Sequence, residues 1–337
     1  MIEAEIHITG RIQGVGFRPF IWRKAVENKL RGYVINLGDA GVEVVVEGPR
    51  ERIEAFTEAV RSEVPSVAEI DDIEVSFWPY LGRFEDFTID RSRESKESVK
   101  GIFPPDIGIC PECIQDMRNS ESRWHLYPFT ACAWCGPRFT AIKTIPYDRE
   151  RTHMAQFLMC DHCGKEYLDP MDRRFDAQGI TCSQCGPKMT LYDGFGNEIA
   201  SSDIFVEASR ILEEGKILAV KGIGGVHLAA QATDSDVVAE LRRRKMRPSQ
   251  PFALMAPDLD TIDKFASMIE AEKRVLSSWR RPIVLLRKKP GGQISELVAP
   301  GLDRVGVMIP YTGIHLMLFK HLDEPALIMT SGNKPGL

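Results

Sequence analysis

The sequence predicts a multidomain protein of the α+β and α/β classes, with a small metal-binding module between two larger domains. Strand and helix patterns alternate over the first 91 residues, and again after residue 200. Between them, eight cysteines form four Cys-x-x-Cys pairs. A chain of 337 residues is also too long for one ordinary core, so we expect separate domains.

The N-terminal segment, residues 1–91, has the pattern of a split βαβ, or ferredoxin-like, domain. Apolar and polar residues alternate along residues 2–8, which predicts the first strand. Pro49 marks the start of the second helix, because proline favours the first position of a helix. The predicted order is βαββαβ with one extra edge strand. The predicted ranges are strand 2–8, helix 18–30, strands 33–37 and 42–47, helix 49–61, and strands 70–78 and 84–89.

A glycine-rich loop joins the first strand to the first helix. It reads Gly-Arg-Ile-Gln-Gly-Val-Gly-Phe-Arg over residues 10–18. Glycines let the backbone turn its N–H groups inward, and a helix N-terminus attracts an anion, so the loop has the composition of a phosphate cradle. Arg18 adds a guanidinium whose fork matches phosphate. A glycine-rich hairpin with a surface arginine fits the same composition.

The cysteine pairs repeat at a constant offset of 50 residues. Each half ends in Cys-Gly-Pro, so the duplication extends beyond the thiols. Two Cys-x-x-Cys pairs close a tetrahedral thiolate shell with no open position, which predicts two structural zinc ions. We place the module at residues 104–190, after a charged linker at 92–103. The eight ligands are Cys110, Cys113, Cys132, Cys135, Cys160, Cys163, Cys182 and Cys185.

Other interpretations of the cysteines fit less well. Disulfides need an oxidising compartment, but the N-terminus has no apolar signal-peptide core. A redox Cys-x-x-Cys is expected once rather than four times. One zinc ion per half, with each half supplying four cysteines, is the favoured arrangement. An interleaved arrangement, in which the first Cys-x-x-Cys pair shares a zinc with the last and the two middle pairs share the other, stays open. His125, His153 and His162 are expected at the surface or in packing.

Residues 200–337 predict a sheet with covering helices. Helices are expected over 204–214 and 234–244, and strands over 217–221, 252–255, 283–286 and 326–329. Pro248 and Pro251 are expected to end the second of these helices and to leave Lys245 and Arg247 on an extended stretch. These basic residues are either a solvated helix end or a binding site for polyphosphate or RNA. Ser331 and Asn333 follow the last strand, where α/β sheets commonly bind ligands. Lys221 precedes another glycine-rich turn.

The overall charge argues against membranes and nucleic acids as general partners. The formal net charge is −5, from 43 basic and 48 acidic side chains, so anion binding has to come from local clusters. No apolar run is long enough to span a bilayer. We therefore expect a cytoplasmic protein.

The N-terminal loop resembles the signature of acylphosphatases. Residues 10–18 match their first block, and Gly-Tyr-Val-Ile-Asn at 32–36 with Gly-Val-Glu at 41–43 resembles the second. The resemblance implies that Arg18 is catalytic and binds phosphate, and that Asn36 orients the attacking water. It also implies phosphate binding by the loop amides of Gln13, Gly14, Val15, Gly16 and Phe17.

Lys245-x-Arg247 and Ser331-x-Asn333 resemble the paired signatures of YrdC-like domains. An acylphosphatase-like domain, two zinc motifs and a YrdC-like domain, in this order, are similar to the HypF family of hydrogenase-maturation carbamoyltransferases. The resemblance implies hydrolysis of carbamoyl phosphate, formation of carbamoyl-adenylate from ATP with Mg²⁺, and transfer to a HypE-type acceptor protein. It assigns nucleotide binding to Lys245, Arg247, Ser331, Asn333 and, more weakly, Lys221.

The chain stops at Leu337, before the transferase domain of that family and before the last expected YrdC-like strands. We therefore expect a fragment or a truncated product. Two alternatives remain. One is a threonylcarbamoyl-adenylate enzyme of tRNA modification or an RNA-binding protein, and the other is a non-catalytic zinc scaffold.

Overall fold

The computed structural model describes residues 1–37, 40–65, 67–90, 103–145 and 147–333. The backbone divides into two compact units. The first unit comprises residues 1–107 and 130–186, and the second comprises residues 108–129 and 187–337. Apart from residue 103, the predicted linker lies outside the described residues.

The first unit contains a five-stranded sheet in the order β4-β1-β3-β2-β5, with two helices against it. The predicted βαββαβ order is confirmed. The extra strand, β5, pairs in parallel with β2 at the sheet edge. The elements are β1 (Ile2–Arg11), α1 (Phe17–Glu27), β2 (Arg31–Asn36), β3 (Val42–Gly48), α2 (Arg50–Ser62), β4 (Glu69–Pro79) and β5 (Phe87–Ile89).

The core of this domain follows from the alternation in the strands. Ala4, Ile6 and Ile8 of β1 point inward with Val44 and Val46 of β3, and all are at most 1 % exposed. Each of the larger apolar side chains buried in this way stabilises the folded state by roughly 1.5–3 kcal/mol. Strand β1 pairs antiparallel with both β3 and β4, with a register shift between Thr9 and Gly10 just before the glycine-rich loop.

Each half of the duplicated module begins with a short helix. The helices are α3 (Pro111–Arg118) and α4 (Asp161–Leu168), and the first cysteine of each half is the residue before its helix. The backbone N–H of Ile114 donates to the carbonyl of Cys110 at 3.0 Å, and that of Gly164 donates to the carbonyl of Cys160 at 2.8 Å. The 50-residue repeat in sequence is therefore also a repeat in backbone structure.

The second unit carries a seven-stranded sheet in the order β6-β7-β12-β8-β11-β10-β9. Among the strand pairs that the described residues form in this sheet, β8 and β11 pair in parallel and the others pair antiparallel, so the sheet is mixed. The strands are β6 (Leu218–Lys221), β7 (Val226–Gln231), β8 (Leu254–Met255), β9 (Ala266–Ser267), β10 (Val284–Lys288), β11 (Arg304–Met308) and β12 (Leu327–Ser331). The helices are α5 (Ile204–Glu213), α6 (Ser235–Lys245), α7 (Leu259–Phe265), α8 (Glu270–Ser277) and α9 (Gly313–Phe319).

The core of the second unit brings the central strands together with α6. Leu241, Phe252, Leu254, Val307 and Ile328 belong to one buried cluster and are at most 1 % exposed. Helix α6 ends one residue later than predicted. Met246 adopts a left-handed conformation (φ 50°) and caps the helix, so Lys245 is its last residue and the prediction of an extended Lys245 is wrong.

In the part of the chain that the structure describes, no helix combines the length and the apolar character needed to cross a bilayer.

Candidate functional site

The glycine-rich loop turns directly into α1 and places Arg18 in the first turn of that helix. Gly14 (φ 66°) and Gly16 (φ 70°) are both left-handed, a conformation that glycine adopts without steric cost. Gly16 is the N-cap residue of α1. The loop therefore presents backbone N–H groups at the positive end of a helix, the arrangement that binds phosphate.

A small pocket lies over this loop and includes most of the predicted phosphate-site residues. It is lined by Gln13, Gly14, Gly16, Phe17, Arg18 and Asn36, among others. Asn36 is the last residue of β2 and is 4 % exposed. Val15, the remaining loop residue, has its side chain fully buried. The structure thus places Arg18 and Asn36 in the lining of one pocket.

Arg18 is held by two carboxylates that the sequence analysis did not single out. Its Nη2 atom lies 3.1 Å from Oδ1 of Asp148 and 3.0 Å from Oδ2 of Asp176. Burial lowers the pKa of Arg18, but Asp176 and Asp148 outweigh that effect and raise it above its ordinary value. Burial raises the pKa of Asp176, and Arg18 opposes this. Arg18 therefore keeps its charge at every physiological pH.

The module also covers the loop with aromatic and basic side chains. A side chain on Gly16 would come within 2.3 Å of the Trp134 ring, so only glycine allows the indole to lie there. Arg138 donates from Nε to the carbonyl of Gly14, and from Nη2 to the carbonyl of Ala133 at 2.9 Å. Tyr147 lines the pocket and donates to the carbonyl of Pro137 at 3.1 Å. The pocket walls thus come from the first domain and from the cysteine module.

A detectable signal for Asp176 exists in the sequence. The 50-residue offset aligns Asp176 with Leu126 and Gln178 with Pro128. An acidic residue at a position that is apolar in the first half marks a departure from the repeat. Asp148 lies outside the repeat, and no sequence pattern identifies it.

The eight cysteines form two groups of four, in the sequential arrangement. The Sγ atoms of each group lie within 4.8 Å of one another. Within the second group, three Sγ–Sγ distances are 3.5, 3.8 and 3.8 Å. A zinc tetrahedron with Zn–S bonds of about 2.3 Å has edges of about 3.8 Å, whereas a disulfide needs about 2.05 Å. The four thiols of each group therefore fit structural zinc. The three histidines of the region, His125, His153 and His162, are exposed.

In the second unit, the predicted nucleotide-site residues meet at the end of β12. Nζ of Lys245 donates to the carbonyls of Ser331 (3.0 Å) and Asn333 (2.7 Å), and Nη1 of Arg247 donates to Oγ1 of Thr330 (3.4 Å). The Ser331 hydroxyl donates to Oδ1 of Asn333. Loss of hydration and Arg247 both lower the pKa of Lys245. Lys221 ends β6, two strands away from β12, with β7 between them.

A buried histidine lies near this sheet edge. His315 is 0 % exposed, its Nδ1 is 2.9 Å from Oγ1 of Thr312, and its ring centroid is 6.0 Å from that of His227. Burial, with a smaller contribution from His227, lowers the pKa of His315 from 6.5 to about 3. Within the described residues, its Nε2 has no hydrogen-bond partner. The protein therefore holds this ring neutral.

We expect His315 to make the second unit less stable in acid. An unfolded histidine binds a proton below pH 6.5, whereas the folded one does not until about pH 3, so stability falls as pH drops through this window. At pH 4.5 the loss amounts to about 2–3 kcal/mol. Urea unfolding at pH 7.0 and 4.5 should show a smaller acid loss for His315→Asn than for wild type.

His125→Asn, at an exposed position, is the matched control and should behave as wild type. Protonation of the cysteines affects all three proteins alike, so the difference between variants isolates His315. An equal acid loss in His315→Asn and wild type would contradict the prediction.

Three family profiles match the chain. The acylphosphatase profile matches residues 4–89, and the HypF finger profile matches residues 109–142 and 159–192. The Sua5/YciO/YrdC profile, described as telomere recombination, matches residues 210–337.

Relatives match along nearly the whole chain. Carbamoyltransferase HypF of Rhodobacter capsulatus is 42% identical over 331 residues, 98% of this chain and 43% of that protein. Probable carbamoyltransferase HypF of Methanocaldococcus jannaschii is 44% identical over 338 residues, 100% of this chain and 44% of that protein. The chain spans less than half the length of these relatives. Acylphosphatase of Bacillus subtilis is 41% identical over 76 residues, 23% of this chain and 82% of that protein.

Two solved structures share the fold. A full-length HypF in the phosphate- and nucleotide-bound form superposes with a TM-score of 0.92 at 42% identity, over 98% of this chain and 43% of that one. T. kodakarensis HypF superposes with a TM-score of 0.89 at 45% identity, over 100% of this chain and 43% of that one.

Proposed function

We propose that this chain, which belongs to the HypF family of carbamoyltransferases, hydrolyses carbamoyl phosphate in its first unit and activates the carbamate with ATP in its second. The observation that carries the proposal is the placement of Arg18 and Asn36 in one pocket over a glycine-rich loop. The matches along the whole chain favour this function over tRNA modification or a zinc scaffold.

The first reaction needs charge stabilisation and an aligned water. The loop amides and Arg18 would hold the phosphoryl group, and Asn36 would orient a water for attack. The water oxygen bonds to phosphorus, the bond from phosphorus to the carbamoyl oxygen breaks, and the water releases a proton. The products are inorganic phosphate and carbamate. No nucleophilic side chain is required, because an acyl phosphate is already activated.

The second reaction would take place around Lys245, Arg247, Ser331 and Asn333. A carbamate oxygen attacks the α-phosphorus of ATP, and pyrophosphate leaves, which gives carbamoyl-adenylate. Lys245 and Arg247 would bind the phosphates of an ATP–Mg²⁺ complex, and Ser331 and Asn333 would contact the nucleotide or the carbamoyl group. Lys221 is a weaker candidate for the same site. We further infer transfer of the carbamoyl group to a HypE-type acceptor in the cytoplasm.

Phosphate release from carbamoyl phosphate by the purified chain tests the first step. A colorimetric phosphate assay with the chain at micromolar concentration should show release above the spontaneous rate. Release at the spontaneous rate only would reject the hydrolase assignment.

Replacement of Lys245 tests the second step. Lys245→Ala removes a charge-assisted hydrogen-bond donor from the end of β12, and we expect carbamoyl phosphate-dependent ATP–pyrophosphate exchange to fall by about 10–100-fold. Arg243→Ala is the control, since Arg243 lies on the same helix but is exposed and pairs with Glu240. Exchange at the wild-type rate in Lys245→Ala would remove Lys245 from the site.

A further inference from the structure

The second half of the cysteine module differs from the first at three positions next to the pocket. At the 50-residue offset, Met117 corresponds to Tyr167, Leu126 to Asp176, and Pro128 to Gln178. Three apolar positions of the first half are thus polar in the second. A module that served only to hold zinc would need no such change.

The backbone at these positions is the same in both halves. Leu126 has φ 57° and Asp176 has φ 54°, both left-handed. The N–H of Leu126 donates to the carbonyl of Met117 at 3.0 Å, and the N–H of Asp176 donates to the carbonyl of Tyr167 at 3.0 Å. Left-handed backbone at a non-glycine residue costs free energy, and both halves tolerate it. The difference between the halves is therefore chemical rather than conformational.

The three polar residues form one network that fixes the Asp176 carboxylate. Gln178 donates from Nε2 to Oδ1 of Asp176 at 2.8 Å, and the Tyr167 hydroxyl donates to Oε1 of Gln178 at 3.1 Å. The N–H of Arg149 donates to the same Oε1 at 2.8 Å. With Oδ1 held by Gln178, Oδ2 faces Arg18 at 3.0 Å. Asp176 and Gln178 both line the pocket over the phosphate loop.

Charge decides how carbamoyl phosphate fits into this pocket. The phosphate dianion is attracted to the loop amides and to Arg18, and it is repelled by the carboxylate of Asp176. The opposite end of the substrate is neutral and carries an NH₂ group with two N–H donors. A carboxyl oxygen accepts such a donor in either protonation state. The favourable orientation therefore puts phosphate on the loop and the NH₂ group towards Asp176.

We propose that Asp176 selects carbamoyl phosphate over other acyl phosphates by accepting a hydrogen bond from its NH₂ group. This inference rests on the proposed hydrolase function and names the substrate determinant of that site. Acetyl phosphate has nearly the same shape but carries a methyl group in place of NH₂. Bound in the same way, it places a methyl group, which donates no hydrogen bond, against this partly buried carboxyl oxygen. Sites built to hydrogen-bond an N–H discriminate strongly against analogues that lack it.

The test compares carbamoyl phosphate with acetyl phosphate in the wild type and in Asp176→Leu. Leucine is the residue of the first half, where it accepts the same left-handed backbone. The measured quantity is the ratio of kcat/KM for the two substrates. We expect the wild type to prefer carbamoyl phosphate, and the ratio to fall by about 10–100-fold in Asp176→Leu.

Controls separate selection from positioning and from misfolding. Glu150→Gln removes an exposed carboxylate of the same module and should keep the wild-type ratio. Zinc content and thermal unfolding report whether a variant is folded, and Asp176→Ala replaces the leucine variant if that protein fails to fold. Equal loss of both rates, with the ratio unchanged, would overturn the inference and leave Asp176 as a residue that only positions Arg18. Absence of hydrolysis of either substrate by the wild type would instead reject the proposed function.

Discussion

Arg18→Ala is expected to lower kcat/KM for carbamoyl phosphate hydrolysis by about 10³-fold or more. Removing one preorganised donor from a developing charge typically costs about 10²–10³ in rate. Here the substitution also removes the counter-charge of two carboxylates, that of Asp176 in the pocket lining and that of Asp148, which pairs with the same guanidinium. These carboxylates would then repel the phosphate. Steady-state phosphate release measures the effect.

Two further variants sharpen this result. Arg18→Lys keeps the positive charge but loses the planar fork, so we expect it to recover only part of the activity. Arg50→Ala removes an exposed arginine of α2 that pairs with Glu54, and it should retain the wild-type rate. Similar rates in all of these proteins would show that the glycine-rich loop is not the hydrolytic site.

Loss of the second four-cysteine group is expected to abolish hydrolysis, although none of the described residues that line the pocket is a cysteine. Asp176 and Gln178 lie in the chain between Cys163 and Cys182, which belong to one four-cysteine group. Arg149 fastens the same segment by donating from Nη1 to the carbonyls of Gln178 (2.8 Å) and Ile180 (3.0 Å). Structural zinc contributes about 10–16 kcal/mol of apparent binding free energy in small domains. Without the metal this segment loses its main constraint.

Cys163→Ser is the variant that tests this expectation. Cys163 is 0 % exposed, and its replacement should lower the zinc content from two ions per chain to one. Elemental analysis and phosphate release measure the two effects in the same sample. Ser183→Ala, at an exposed position inside the neighbouring Cys-x-x-Cys turn, should keep the wild-type zinc content and the wild-type rate of phosphate release. Full hydrolysis by a protein that has lost one zinc would mean that the pocket does not depend on the module.

The first domain and the cysteine groups could be predicted because local signals agree with the tertiary structure. Strand β1 alternates by burial, the loop glycines take the left-handed conformations that only glycine adopts readily, and the cysteine spacing matches a tetrahedral shell. Each of these signals lies within a few residues along the chain.

The sheet of the second unit was predicted less completely. The sequence does not predict strands β7, β9 and β11. Strand β9 has two residues, β7 contains two alanines and β11 contains a glycine, and neither alanine nor glycine favours a strand. Pairing with β6 and β12 on either side decides the structure of β7. Local propensity contains no information about such partners.

The carboxylates that contact Arg18 also could not be predicted from local sequence. Asp148 and Asp176 are single acidic residues in loops, the commonest surface pattern in any sequence. They become a pair of carboxylates on one guanidinium only because the module folds over the loop, 130 and 158 positions further along the chain than Arg18. Comparison of the two halves was the one route from sequence to Asp176.

The contact of α1 with the module bears on how such proteins can evolve by domain exchange. The Trp22 ring meets Phe175 edge-on at 5.9 Å, next to Asp176, while its Nε1 donates to the carbonyl of Phe87 at 2.9 Å. A free-standing relative inserted in place of the first domain would have to match this aromatic contact as well as the pocket. Recombination at the linker is therefore constrained by surface chemistry on both sides, and the two parts are inherited more easily together than apart.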